Sequence, residues 1–127
     1  MDIAISNLFS DPLHPALIIS KTLSETDIKE NMRLPKQEIE YVLAIMGGVT
    51  AEELQIGKKV IISDLVEGDQ YEVFLKYSDT KKKYTIGEGW AKLRDSLDLE
   101  EGQTLKLYWY QDFKIFVILN FPYNLLD

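Results

Sequence analysis

The sequence contains no cysteine and a single histidine, His14. Without thiols there is no disulfide framework, no cysteine zinc site and no thiol nucleophile, and the composition suits an intracellular setting. One histidine near the start leaves little material for a Ser-His-Asp arrangement or a metal cluster. Long apolar runs are also missing. The longest, Ile115-Phe116-Val117-Ile118-Leu119, has the length of a strand, far short of the roughly 18 residues of a membrane span. The opening Met1-Asp2-Ile3-Ala4-Ile5 lacks the basic and apolar regions of a secretion signal, and there is no repeat or Gly/Ser linker. Glu52-Glu53 and Glu100-Glu101 are sequence neighbours, whose side chains point apart rather than converge for acid–base work. Gly87-Glu88-Gly89 lacks the third glycine of a nucleotide loop. The expectation is a soluble protein that is not an enzyme, with no metal, no small-molecule cofactor and no membrane partner.

What is present is an ordinary globular composition. With 127 residues, 46% hydrophobic and 28% charged, the chain suits one domain with one core. Pro12 and Pro15 mark residues 1–16 as an N-terminal arm, which leaves 17–127 as a single domain. Strands are expected at Leu17–Ile19, Met32–Leu34, Lys59–Ser63, Tyr71–Tyr77, Tyr84–Ile86, Leu105–Tyr110 and Lys114–Phe121. In the sixth, Leu105, Leu107 and Trp109 alternate with Lys106, Tyr108 and Tyr110, a two-faced pattern. About three helices are expected. Ser24-Glu25-Thr26-Asp27 has the form of a capped helix start, and Pro35 opens a helix with Ile39, Val42, Leu43 and Met46 on one face and Gly47 at its end. The third turns Trp90, Leu93 and Leu97 inward. Glu67-Gly68-Asp69 reads as a hairpin connection. The fold class is mainly β with short helices, its strands antiparallel to their neighbours and its sheet curled or closed to cover the edges.

Charge is unevenly spread. The formal net charge is −7, yet Lys76-Tyr77-Ser78-Asp79-Thr80-Lys81-Lys82-Lys83 sets four cations against one acid. The segment Lys21–Lys36 sets Lys21, Lys29, Arg33 and Lys36 against Glu25, Asp27 and Glu30, so the remainder of the chain is more acidic than the whole. Phosphate binding requires a positive local surface rather than a positive protein, because screening over ~8 Å confines repulsion from a distant acidic face.

The order of several short segments is similar to the plant B3 DNA-binding domain. Lys21-Thr22-Leu23-Ser24-Glu25-Thr26-Asp27-Ile28, followed by Leu34-Pro35-Lys36, resembles that family's opening. Tyr84-Thr85-Ile86-Gly87-Glu88-Gly89-Trp90 and Leu99-Glu100-Glu101-Gly102-Gln103-Thr104-Leu105 resemble its Tyr-x-Leu-x-x-Gly-Trp and Leu-x-x-Gly-Asp segments, so the likeness spans about residues 17–121. The resemblance implies a seven-stranded open pseudobarrel, nuclear localisation, transcription regulation and double-stranded DNA as partner. Two arms would enter the major groove, one about Lys21–Lys36 and the other around Lys76–Lys83. Lys21, Lys29, Lys36, Lys76, Lys81, Lys82 and Lys83 are then the expected phosphate contacts, and Ser24, Asn31, Arg33, Ser78 and Thr80 the expected base-edge or water-mediated contacts. The chain departs from the family pattern at Asn31, where Arg is usual, and at Ser78 and Asp79, where many members carry an aromatic residue and Asn. The alternative from a different class is a B3-fold module for protein interaction or homodimerisation, using a sheet edge and the aromatics Tyr108, Tyr110 and Tyr123.

Overall fold

The computed structural model describes residues 14–119. Seven strands, β1 (Ile18–Thr22), β2 (Met32–Leu34), β3 (Lys58–Asp64), β4 (Asp69–Ser78), β5 (Lys83–Ile86), β6 (Thr104–Tyr110) and β7 (Ile115–Ile118), make one sheet ordered β1-β6-β7-β3-β4-β5-β2. The described residues also hold a 3-10 turn, Pro15–Leu17, and the helices α1 (Glu25–Lys29), α2 (Lys36–Met46), α3 (Ala51–Ile56) and α4 (Trp90–Ser96).

Connectivity makes this sheet curl. β1 and β2 are its opposite edges, yet the short segment Leu23–Asn31 joins them, and α2 packs against both β1 and β5. The result is a nearly closed, barrel-shaped sheet around a core that includes Ile19, Met32, Ile39, Val42, Ile62 and Val73. The edges are blunted by carboxylates from helices. Glu38 on α2 accepts from the Ser20 amide at 3.3 Å, and Asp27 on α1 accepts from the Arg33 amide at 2.9 Å. Both amides would otherwise offer a pairing edge to another chain.

Alternation works as expected in β4, where Tyr71, Val73 and Leu75 are buried and Gln70, Glu72 and Lys76 exposed. α2 and α4 likewise bury Ile39 and Val42, and Trp90 and Leu93. The differences from expectation lie where tertiary structure intervenes. β7 runs parallel to β3, so not all neighbours are antiparallel. All four residues of β7 are buried, as suits a strand inside the sheet covered on both faces. β6 is not cleanly two-faced, since Tyr108 is buried along with Leu107 and Trp109, and the 3-10 turn packs against this strand. The first strand extends to Thr22, Lys114 belongs to the turn before β7, and Pro35 caps α2 rather than entering it. Residues 120 and 121 of the expected last strand, and most of the expected N-terminal arm, lie outside the described residues. His14 caps the 3-10 turn, its Nδ1 accepting from the Ala16 amide at 3.2 Å.

The helix α3 is additional to the three expected. Its signal is nonetheless present in the sequence: Thr50-Ala51-Glu52-Glu53 is a capping box, with Thr50 Oγ1 accepting from the Glu53 amide and Glu53 Oε1 from the Thr50 amide.

Candidate nucleic-acid interface

The first arm is built around Asp27. Ser24 caps α1, its hydroxyl accepting from the Asp27 amide while the Asp27 carboxylate accepts from the Ser24 amide at 2.8 Å. The same carboxylate, 1% exposed as a residue, takes the Arg33 amide and lies 3.3 Å from the Lys21 ammonium. Burial by itself raises the Asp27 pKa. The Ser24 and Arg33 amides and the Lys21 charge together outweigh it, holding the carboxyl below its ordinary value. α4 fastens the arm from behind: Trp90 Nε1 donates to the Asp27 carbonyl at 2.7 Å and an Arg94 guanidinium nitrogen to the Ile28 carbonyl at 2.6 Å.

The second arm is a tight hairpin rather than a long loop. Lys76, Tyr77 and Ser78 belong to β4, Lys83 pairs with Ser78, and only Asp79–Lys82 form the turn. The Ser78 carbonyl accepts from the Lys82 amide at 2.7 Å and its hydroxyl from the Lys81 amide at 3.1 Å, with Lys82 in the left-handed region at φ 55°. α3 braces the tip through Gln55, whose amide donates to Asp79 at 2.9 Å. That bond engages the one carboxylate among the basic residues.

Strand register connects the two arms. Arg33 on β2 and Lys76 on β4 both face Thr85 on β5, forming one transverse row; Ser78 and Lys83 continue the same face two residues along. The opposite face carries Leu34, Tyr84 and Leu75 into the core. Tyr84 anchors that side, donating its hydroxyl to Glu40 at 2.9 Å; burial and then the Glu40 contact push its pKa up to about 12.

Ion pairing sorts the cations. Among the described residues, Lys21 pairs with Asp27 and Lys29 with Glu25, whereas Arg33, Lys36, Lys76, Lys81, Lys82 and Lys83 have no ion pair. These unpaired charges lie on the β2–β5–β4 face, at the tip beside it and at the start of α2. Of the expected contact residues, Ser24, Lys29, Asn31, Arg33, Lys36, Lys76, Thr80, Lys81 and Lys82 are exposed. Lys83 is half-buried, Lys21 turns toward Asp27, and the Ser24 and Ser78 hydroxyls are engaged in a cap and a turn. Gln55 and Arg94, which shape the two arms, carry no local signal of that role in the sequence. Of the aromatics considered for a partner surface, Tyr108 is buried and Tyr110 stacks edge-on against Phe113 at 5.0 Å, while Tyr123 lies outside the described residues.

Comparison with known proteins gives the family of this chain. The family model described as B3 domain-containing protein At5g26805, C-terminal domain, matches residues 18–119. The chain belongs to the B3 domain family. It is 47% identical to B3 domain-containing protein At5g54067 of Arabidopsis thaliana over 93% of this chain and 94% of that protein. It is 50% identical to B3 domain-containing protein At1g43171 of Arabidopsis thaliana over 87% of this chain and 98% of that one. Among solved structures, the Arabidopsis FUS3–DNA complex matches with a TM-score of 0.58 at 18% identity, covering 78% of this chain and 91% of that one. That likeness shows the B3 fold. The fold also accounts for the Gly-Trp pair of the resemblance: Gly89 is the N-cap residue just before α4 at φ 91°, where backbone approaches backbone, and Trp90 reaches the first arm.

Proposed function

We propose that this B3 domain binds double-stranded DNA sequence-selectively, laying its two arms in the major groove, and acts without catalysis as a transcriptional regulator in a plant nucleus. The observation that carries this reading is the gathering of cations without ion pairs, among the described residues, on one sheet face and the hairpin beside it, in a chain of net charge −7. The family, and a fold shared with a protein solved in complex with DNA, support it. The binding unit is residues 17–127, with 1–16 as an N-terminal arm.

Lys36, Lys76, Lys81, Lys82 and Lys83 hold phosphates in this reading, and Asn31, Arg33 and Thr80 are the side chains offered to base edges. Asn31 suits adenine, to which it can bond bidentately. Lys29 adds charge while exchanging Glu25 for phosphate. Lys21, Ser24 and Ser78 act mainly by giving the arms their shape.

Selection from a randomised duplex library at low salt, followed by titration of selected and scrambled duplexes across salt concentrations, tests the proposal. A short enriched motif and a steep loss of affinity with salt are expected. Lys82→Ala should weaken all duplexes similarly and lower the salt slope by about 1, whereas Asn31→Ala should alter the preference among sites. Lys and Ala carry the same Cβ, so the Lys82 exchange leaves the left-handed backbone strain unchanged. Failure to retain any duplex at low salt would overturn the reading, and equal losses on selected and random DNA would remove Asn31 from the reading set.

A further inference from the structure

A cleft lies beyond the residues assigned to DNA, where the chain leaving α2 passes over β3 and the β6–β7 turn. Its cavity is about 300 Å³, at the small end of ligand pockets. Met46, Val49, Ile61 and Trp109 supply apolar walls. Trp109 is a fixed wall: its indole N–H donates to Gln111 Oε1 at 2.6 Å and its ring meets Phe116 edge-on at 5.0 Å. Gly47 and Gly48 also line the cleft, both at φ near +70° with open space where a Cβ would stand.

The charged lining has one sign. Lys58, Lys59 and Lys114 border the cavity and no carboxylate does. Lys58 and Lys59 are neighbours on β3, so their side chains leave opposite faces of the strand, and each is held at its own carboxylate, 3.5 Å to Glu53 and 3.8 Å to Glu72. Lys114 has no ion pair among the described residues and is presented by a left-handed turn at φ 57°. A neutral apolar ligand would leave the Lys114 ammonium unused, and inorganic phosphate would leave the apolar walls uncovered.

We infer that this cleft binds a small organic anion, a carboxylate or sulfonate on a flat apolar body, with the body against Met46 and Val49 and the anionic group at Lys114. The site uses none of the residues assigned to DNA, and its test contains no DNA.

The test is an NMR titration of the full chain with naphthalene-2-sulfonate, alongside neutral 2-naphthalenemethanol. Saturable shifts are expected at the Gly47, Gly48, Val49 and Lys114 amides and the Trp109 indole N–H, with the neutral compound about tenfold weaker, equivalent to about 1.4 kcal/mol. Lys114→Asn, which keeps a residue tolerant of the left-handed region, should weaken the sulfonate several-fold and leave the neutral compound unaffected. Equal affinity for both compounds, shifts centred elsewhere in the domain, or no saturation at millimolar sulfonate would each overturn the inference. An unchanged melting temperature for Lys114→Asn would exclude loss of fold as the cause of weakening.

Discussion

Gly89→Ala is expected to destabilise the domain by about 4 kcal/mol or more, enough to leave much of the protein unfolded or insoluble. Two costs combine. At φ 91° an L side chain carries the left-handed penalty of about 1–2 kcal/mol. An added Cβ would also stand 2.1 Å from the Glu72 carbonyl oxygen and 2.9 Å from the Val73 Cα, and both obstacles are backbone of β4, an interior strand of the sheet. Flanking hydrogen bonds oppose relaxation, since Phe74 donates to the Glu88 carbonyl and accepts from the Gly87 amide. Gly102→Ala is the control. Its φ is 90° but no atom lies within 4 Å of an added Cβ, so it should cost only the conformational term, about 1–2 kcal/mol. Denaturant midpoints of the two variants separate strain from collision. Equal midpoints would mean that β4 yields and that the close approach is not the constraint.

Asp27→Ala should cost about 3 kcal/mol and lower the melting temperature by about 10 °C. The loss exceeds that of an ordinary surface pair because one carboxylate serves the Ser24 amide, the Arg33 amide and the Lys21 ammonium, and truncation strips all three of their partner. The pH dependence follows from the direction of its shift. Asp27 has a folded pKa below its unfolded value, so its contribution is complete above the ordinary aspartate pKa and is lost as pH falls through the folded value. The stability difference between the native protein and Asp27→Asn should therefore be level down to about pH 5 and shrink on further acidification through about pH 4 to about pH 2. A difference that stays constant over that range would show that the negative charge is not what holds the arm.

Much of the candidate interface is legible in the amino-acid sequence. Lys81, Lys82 and Lys83 stand out as a basic cluster between two alternating runs, and Ser24-x-x-Asp27 announces a cap, because both signals are local. The capping box at Thr50 is equally local, but α3 is short and buries none of its residues, so no apolar stripe marks it as a helix. Gln55 and Arg94 are out of reach for another reason. Gln55 meets Asp79, 24 residues away, and Arg94 meets Ile28, 66 residues away, so their value exists only once the sheet has curled.

Local chemistry by itself determined where this chain turns, caps and alternates: a hydroxyl three residues before a carboxylate starts a helix, and an inward row of Tyr71, Val73 and Leu75 specifies one face of a strand. Tertiary structure alone decided that β3 and β7 pair in parallel, that Tyr108 is covered, and that Asp27 receives an amide from the edge strand it precedes. Those outcomes depend on which distant segments share a buried space. Alternation along a strand records that one face is buried but not which partner buries it, so the row joining Arg33, Thr85 and Lys76 takes shape only in the assembled sheet.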